Sequence, residues 1–92
     1  MKIIFDVDGT LMDIETRRKW LEGPTPNWTK FMDPKEMETD TPNQHVMEVA
    51  ECMHDAGHEI VIVSARNERH REVTEHQLKQ NFGVFWSHMF LR

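Results

Sequence analysis

The sequence is poor in the features that stabilise or anchor many chains of its size. Its 92 residues contain a single cysteine, Cys52, so an internal disulfide cannot form, and no paired CxxC spacing provides a zinc ribbon. No run of about 18 apolar residues is long enough to cross a bilayer, and the apolar run at residues 3–5 is too short for a signal peptide. A chain of this length forms one domain, residues 1–92, and we expect it in a reducing cytoplasm, away from membranes.

Positive charge is also in deficit. The chain has 11 Lys and Arg against 16 Asp and Glu, which gives a net charge of −5 with neutral histidines. This balance argues against a surface that coats DNA or a membrane electrostatically, but it is compatible with recognition of a single phosphate group. The hydrophobic content of 38% is high enough for a folded domain.

Three apolar runs predict the strands of a parallel sheet. The run from Ile3 to Val7 ends at a turn-prone Asp-Gly pair and predicts a buried strand. The run Ile60–Val63 does not alternate with polar residues, which is typical of a strand covered on both faces. A third strand is predicted within the tail Val84–Leu91.

Two helices are predicted between these strands, which gives a βαβαβ order and, with right-handed crossovers, a minimal three-layer α/β sandwich. The first helix begins at Thr41, a good cap followed by proline, and ends at Gly57. The second runs from about Glu68 to Gln80 and ends near Asn81 and Gly83. The apolar face of the first helix is predicted from its spacing to be Val46, Val49, Ala50 and Met53.

Residues 13–40 predict a flap or cap insertion. Glu15 to Leu21 predict two helical turns that Gly23-Pro24 stops, and the residues after them contain prolines and lack a clear hydrophobic period. Within it, the basic run Arg17 to Lys19 either steers a phosphate or forms a solvated helix face. A group of large side chains either stacks on a nucleobase or forms the small core of the flap, and the second arrangement is more common. These are Trp20, Trp28, Phe31 and Met32.

The most specific pattern is Asp6-Val7-Asp8-Gly9-Thr10. Carboxylates at positions i and i+2 of an extended segment point to the same face, here at the carboxyl end of a strand, where open α/β sheets place their ligands. Gly9 lets the backbone turn and lets its amide approach an anion closely. An aspartate-rich turn is the alternative, but the preceding apolar strand favours a functional site.

The motif resembles the haloacid dehalogenase (HAD) superfamily of phosphatases, whose first motif is DxDGT at the end of the first strand. The strand Ile60–Val63 followed by Ser64 is similar to the second motif. The Ser-Ala-Arg tripeptide at 64–66, then Arg71 and Thr74, and the closing residues 89–92 resemble the phosphatase domains of phage polynucleotide kinases. The resemblance covers nearly the whole chain and implies a HAD-like Rossmannoid fold.

The resemblance also implies a Mg²⁺-dependent phosphohydrolase with an aspartyl-phosphate intermediate. Asp6 is the implied nucleophile, since a carboxylate is ionised at pH 7 without an activating base, and Asp8 is the implied acid and base. Two carboxylates facing a phosphate need a cation, and the implied Mg²⁺ ligands are the Asp6 side chain and the Asp8 carbonyl. The implied substrate is a phosphomonoester of a nucleotide or nucleic-acid end, or another phosphorylated small molecule. The expected phosphate contacts are Gly9, Thr10, Ser64, Ala65 and Arg66, although a surface arginine at the start of a helix is an equal alternative for the last of these.

The chain departs from the superfamily in its last third. HAD enzymes carry a third-motif lysine that pairs with the nucleophile and later aspartates that complete the metal site, whereas Lys79 lies on a predicted helix and no acidic residue follows Glu75. The first strand is then an unpaired apolar edge. We expect a second copy to pair with this edge in a homodimer; the alternatives are a partner chain that supplies the missing half, or a fragment of a longer protein.

Two functions therefore stay open. One is a phosphatase, and the other is a HAD-like module that binds phosphate or a protein partner without catalysis, because the lysine and the late aspartates are missing. A kinase activity is not expected of this chain, since it contains no GxxxxGK[ST] loop.

Overall fold

Three parallel strands form the centre of the protein. The computed structural model describes residues 1–82 and 86–92 and confirms the predicted strands and their parallel pairing. In chain order the elements are β1 (Lys2–Phe5), β2 (Met12–Asp13), α1 (Glu15–Arg18), a 3₁₀ turn (Lys19–Leu21), α2 (Trp28–Phe31), α3 (Pro34–Met37), β3 (Thr41–Pro42), α4 (Gln44–Asp55), β4 (Glu59–Val63), a 3₁₀ turn (Glu68–His70), α5 (Arg71–Asn81) and β5 (Trp86–Phe90). The strand order in the sheet is β1–β4–β5, so β1 lies at an edge of the described sheet.

Both long helices, α4 and α5, contribute to one core on the same face of the sheet. Right-handed crossovers between successive neighbouring strands place the connecting helices on one side, so α4 and α5 cover the side chains of Ile60 and Ile62 together. The described residues thus form two layers of the predicted sandwich, the sheet and one helical layer. The core cluster consists of Phe5, Val7, Leu11, Met12, Met47, Ala50, Ile60, Ile62, Leu78, Phe82 and Met89.

The opposite face of the sheet is largely exposed. Ile4 is 67% exposed, Phe90 56% and Val63 40%. The prediction that Ile60–Val63 is covered on both faces is therefore wrong for Val63 in the described residues. The apolar run itself is explained by burial of alternate residues under the helices and by Val61, which is buried on the other face.

The first long helix begins later than its sequence predicts. Thr41 and Pro42 pair antiparallel with Met12 and Asp13 as the two-stranded sheet β2–β3, and this pairing removes them from the helix. Asn43 becomes the residue before the helix, its N–H donating to the Leu11 carbonyl at 2.9 Å. The capping role predicted for Thr41 is consequently wrong.

The buried face of α4 is rotated towards Met47 relative to the prediction. Met47 and Ala50 are buried, whereas Val49 and Met53 are exposed. The apolar residues of the helix fit two overlapping faces. Packing against the sheet buries the face that contains Met47 and Ala50. The predicted end at Gly57 is confirmed, with φ of +93°, a conformation that favours glycine.

The segment 13–40 contains three four-residue helices. The predicted helical turns from Glu15 to Leu21 are confirmed as α1 and the 3₁₀ turn that follows it, whereas α2 and α3 are not predicted from the sequence. Asn27 caps α2 by accepting the Lys30 N–H at 3.0 Å, and Asp33 caps α3 by accepting the Lys35 N–H at 2.9 Å. Phe31 and Met37 point inwards from these helices. The role of the segment as a flap or cap stays a prediction.

Parts of two predicted elements lie outside the described residues. These are Gly83, at the end of the second predicted helix, and Val84 and Phe85, at the start of the third predicted strand. The other residue predicted at that helix end, Asn81, is the last residue of α5. Among the residues that are described, no helix is both long and apolar enough to span a membrane.

Candidate active site

The loop after β1 turns sharply and leaves two aspartates at the carboxyl end of the sheet. Val7 is fully buried, and its carbonyl accepts the Met12 N–H at 2.9 Å. Gly9 has φ of +79°, which favours glycine, and donates its N–H to the Met12 carbonyl at 2.9 Å. Backbone bonds thus close the loop, while Asp6 stays exposed and accepts the Val7 N–H on Oδ1 at 2.8 Å.

Asp8 lies further inside and is bound by two arginines. Its Oδ1 is 2.7 Å from Nη2 of Arg66 and 2.8 Å from Nη2 of Arg17. Nε of Arg66 also donates to both carboxylate oxygens, at 3.1 and 3.3 Å. Both arginine side chains are fully buried, whereas 21% of the Asp8 side chain is exposed. Two guanidinium groups beside an accessible carboxylate provide the donors with which proteins bind phosphate.

A second carboxylate, Asp40, holds the same two arginines from within the protein. Its side chain is fully buried. Its Oδ1 accepts from Nε of Arg17 at 2.7 Å, and its Oδ2 accepts from Nη2 of Arg17 at 2.8 Å and from Nη2 of Arg66 at 3.1 Å. Asp8, Asp40, Arg17 and Arg66 form a charge cluster with two charges of each sign, the condition under which charges can be buried.

Neutral groups fix the orientation of both arginines. Nη1 of Arg66 donates to Thr74 Oγ1 at 2.9 Å and to Gln77 Oε1 at 2.8 Å, both on α5. Nη1 of Arg17 donates to the Phe31 carbonyl at 2.9 Å, and its guanidinium carbon lies 4.7 Å from the centre of the Phe31 ring. Helix α5 therefore positions one arginine of the cluster, and the segment 13–40 positions the other.

The arginines keep Asp8 ionised. Burial alone raises the pKa of the Asp8 carboxyl, but the hydrogen bonds and charge of Arg66, followed by those of Arg17, outweigh it, and the pKa lies below its ordinary value of 3.8. Burial likewise lowers the pKa of Arg17, but the hydrogen bond to Asp40 and the charges of Asp8 and Asp40 raise it above its ordinary value. At neutral pH, Asp8 is therefore a carboxylate and Arg17 is a cation.

Ser64 follows the end of β4, as predicted, beside the end of β1. Phe5 lies opposite Ile62, so Asp6 and Ser64 continue from neighbouring strand ends. The Ser64 side chain is buried, and its Oγ accepts the backbone N–H of Arg66 at 3.1 Å, which leaves the hydroxyl proton for another acceptor.

The other predicted phosphate contacts are Gly9, Thr10 and Ala65, and two of their backbone amides already donate hydrogen bonds. The amides of Gly9 and Thr10 donate within the loop, to the Met12 carbonyl at 2.9 Å and to the Val7 carbonyl at 3.2 Å. Ala65 is exposed next to the charge cluster. The structure thus joins Asp8, Ser64 and Arg66 by hydrogen bonds, while phosphate contacts for the remaining residues stay predictions.

Sequence reasoning missed two members of the charge cluster, Arg17 and Asp40. Arg17 belongs to a basic run for which a solvated helix face was one expectation, and that expectation is wrong for this residue, because the arginine is fully buried. One signal was available: Ile14, Arg17 and Leu21 follow the spacing i, i+3, i+7 of a helix face that packs inwards. Asp40 has no comparable signal, since nothing in its local sequence separates it from the other acidic residues.

The loop provides two oxygen ligands of the kind that Mg²⁺ prefers. These are the exposed carboxylate of Asp6 and the backbone carbonyl of Asp8. In residues 1–82 and 86–92, no group of three or more His, Cys, Asp or Glu side chains is placed to hold a metal ion. Because Mg²⁺ often binds one or two carboxylates together with substrate phosphate and water, the two predicted ligands fit an ion whose shell the substrate helps to complete.

These features define a class of protein. A parallel α/β sheet whose first strand leads into Asp6-x-Asp8 and whose neighbouring strand ends at Ser64 is a HAD-like fold, as predicted. The model of the family described as the polynucleotide kinase PNKP phosphatase domain matches residues 1–92. The chain belongs to this family.

A solved structure gives the same result. The chain is similar to a chain in the structure of a Pnkp1/Rnl/Hen1 complex, with a TM-score of 0.65 and 25% sequence identity. The match covers 99% of this chain and 28% of that chain, so this chain spans little more than a quarter of the length of the relative. The comparison with curated proteins gives no match.

Proposed function

We propose that the protein is a Mg²⁺-dependent phosphohydrolase that removes a phosphate group from a nucleic-acid end or a nucleotide. The observation that carries the proposal is the convergence of two buried arginines, Arg17 and Arg66, on Asp8, two residues from Asp6. Membership of the PNKP phosphatase family supports phosphatase chemistry and the nucleic-acid end as its substrate.

In the proposed first step, a carboxylate oxygen of Asp6 attacks the phosphorus atom. The new O–P bond forms as the bond from phosphorus to the leaving alcohol oxygen breaks, and Asp8 gives a proton to that oxygen. Arg66, Arg17 and the hydroxyl of Ser64 donate hydrogen bonds to the transferring phosphoryl oxygens, where negative charge is spread in the transition state.

The charge cluster suggests how Asp8 obtains its proton. In the free protein, Arg66 and Arg17 hold the pKa of Asp8 low and the carboxyl is ionised. A bound phosphate competes for the same guanidinium groups, and when it takes their hydrogen bonds the pKa of Asp8 rises because burial then dominates. In the second step, Asp8 accepts a proton from water, the water oxygen attacks phosphorus, and inorganic phosphate leaves Asp6.

Mg²⁺, which HAD phosphatases generally use, would be held by the Asp6 side chain and the Asp8 carbonyl. When bound, it supplies positive charge that offsets the repulsion between the carboxylates and the phosphate. The residues of the chain itself orient the phosphate and move the proton.

A second candidate function is a HAD-like module that binds phosphate or a protein without catalysis, or one half of a site that another chain completes. Two observations favour it. Among the described residues, no further carboxylate joins Asp6 in a metal-binding group, and β1 pairs on one side only, with β4. We propose that a second copy pairs with this open edge in a homodimer, since exposed Ile4 adds apolar surface beside it.

The proposed setting is the cytoplasm. Its support is the single cysteine, Cys52, which is a free, exposed thiol rather than part of a disulfide.

Hydrolysis assays separate the two functions. The protein is mixed with Mg²⁺ and either a nitrophenyl phosphate or a 3′-phosphorylated oligonucleotide, beside Asp6→Asn and with EDTA in place of Mg²⁺ as a second control. We expect wild-type turnover of both substrates and a loss of at least 100-fold in the variant, because the amide is not a nucleophile. Equal background turnover by wild type and Asp6→Asn would instead support the non-catalytic module.

A further inference from the structure

Trp28 is the most exposed aromatic side chain among the described residues, at 60%. Its ring meets the Phe31 ring edge to face, with centroids 5.8 Å apart and planes at 89°. Phe31 is buried and lies under the guanidinium group of Arg17, which binds Asp8. The structure thus divides the predicted aromatic group: Phe31 packs inwards, whereas Trp28 presents its indole to solvent beside the candidate site.

The stretch of sequence from Arg17 to Lys35, which contains Trp28, has an excess of positive charge. Residues 17–35 contain five Lys or Arg against two Asp or Glu, a net +3, so the other 73 residues carry −8. The ammonium groups of Lys19 and Lys30 lie 5.2 and 5.5 Å from the centre of the Trp20 ring. Within the part of the chain that the structure describes, neither lysine forms an ion pair with a carboxylate.

We infer that Trp28 stacks on a base of a single-stranded nucleic acid whose phosphorylated end lies at Asp6, with Lys19 and Lys30 near its backbone. An exposed aromatic ring with one exposed lysine on its own helix and another on the adjoining turn has the chemistry of single-strand binding, in which rings stack on bases and cations follow the phosphates. This inference rests on the proposed function and adds a specificity-determining residue to it.

The contacts also limit how far Trp28 lies from Asp8. Three contacts lead from Trp28 through Phe31 and Arg17 to Asp8, and each is 5.8 Å or shorter. Because nucleotides stack about 3.4 Å apart along a strand, these contacts keep Trp28 within a few nucleotides of a phosphate bound at the site. The proposed stacked base is not that of the phosphorylated nucleotide, so an oligonucleotide contacts Trp28 and a mononucleotide does not.

Binding of a fluorescent single-stranded oligonucleotide with a 3′-phosphate, followed by anisotropy in EDTA, tests the inference without requiring turnover. We expect Trp28→Ala to weaken binding about tenfold and Trp28→Phe to retain most of it, because a phenyl ring still stacks. Phe90→Ala, which removes a similarly exposed aromatic ring from the sheet, is the matched control and should bind like wild type. Lys19→Gln and Lys30→Gln should each reduce the slope of log affinity against log salt by about 0.7.

A mononucleotide 3′-phosphate distinguishes stacking from a general change of the site. Its affinity should be the same in wild type and Trp28→Ala, and the two proteins should have equal thermal melting temperatures. Oligonucleotide binding by Trp28→Ala within twofold of wild type would overturn the inference. If Trp28→Ala bound the oligonucleotide as wild type does but differed from it in molar mass by light scattering, the inference would also be overturned, because Trp28 would then contact protein. Absence of wild-type hydrolysis would contradict the proposed function. The binding comparison of wild type with Trp28→Ala would still decide whether Trp28 stacks on the oligonucleotide.

Discussion

At the scale of single residues, the site depends on two aspartates that share two arginines but differ in environment. The Asp40 side chain is fully buried and contacts only protein groups, whereas part of the Asp8 side chain is accessible to solvent. In the proposed reaction, a phosphate that approaches from solvent replaces Asp8 as a partner of the arginines, whereas the enclosed Asp40 keeps its contacts to them. We therefore propose that Asp40 is a positioning residue that keeps Arg17 and Arg66 in place when their contacts to Asp8 are exchanged for substrate.

We predict that Asp40→Asn destabilises the protein by about 3–5 kcal/mol, because removal of one partner leaves buried charge uncompensated. Urea unfolding at pH 7 measures this change. Glu15→Gln is the control: it removes a carboxylate that also pairs with an arginine, Arg18, but both side chains are 64% exposed, and its expected cost is below about 1 kcal/mol. Equal small losses for the two variants would show that the cluster is not what holds the arginines.

The sequence predicts the loop that carries Asp6 and Asp8 better than the charge cluster behind it. Asp6, Asp8 and Ser64 stand at strand ends, and strand ends can be located from apolar runs. Arg66 was also a candidate because it follows Ser64 closely. Asp40 reaches the site only because the chain returns along β3 after a long excursion, and this tertiary event has no counterpart in local spacing.

At the scale of elements, the sequence predicts those helices and strands that are long enough to show a hydrophobic pattern. The three strands and the two long helices were all predicted, because each contains several residues of one pattern. The helices α2 and α3 have four residues each, which is about one turn, so no period can develop. The predicted helix start at Thr41 is wrong, because threonine followed by proline also suits a short edge strand, and pairing with Met12 and Asp13 selects the strand.

The open edge of β1 leads to a prediction about assembly. If a second copy pairs with this edge, light scattering at micromolar concentration should give twice the 11.0 kDa mass of the chain. Ile4→Lys should yield the single-chain mass, because charge on an edge strand opposes pairing. Val49→Lys, at an exposed position on α4, should remain dimeric. A wild-type protein with the single-chain mass would refute the homodimer.

At the scale of the whole molecule, charge is distributed unevenly in a way that suits the proposed reaction. Residues 17–35 carry a net charge of +3, whereas the other 73 residues carry −8. In the proposed complex, Arg17 and Arg66 at the site and the exposed Lys19 and Lys30 lie near the phosphates of the bound strand, while the negative remainder of the chain repels polyanions. Composition alone could not show this, because it averages over the two regions.

The central claim, that Asp6 is a nucleophile supported by the charge cluster, is tested most directly by looking for phosphate on Asp6. Nitrophenyl phosphate suits this test, because its leaving group needs no acid, and Asp8→Asn suits it because loss of the base slows release from Asp6. After mixing with Mg²⁺ and acid quenching, peptide mass mapping should find phosphate on the peptide that contains Asp6 in Asp8→Asn, and none in Asp6→Asn. Phosphate on another residue, or continued turnover by Asp6→Asn, would contradict the account.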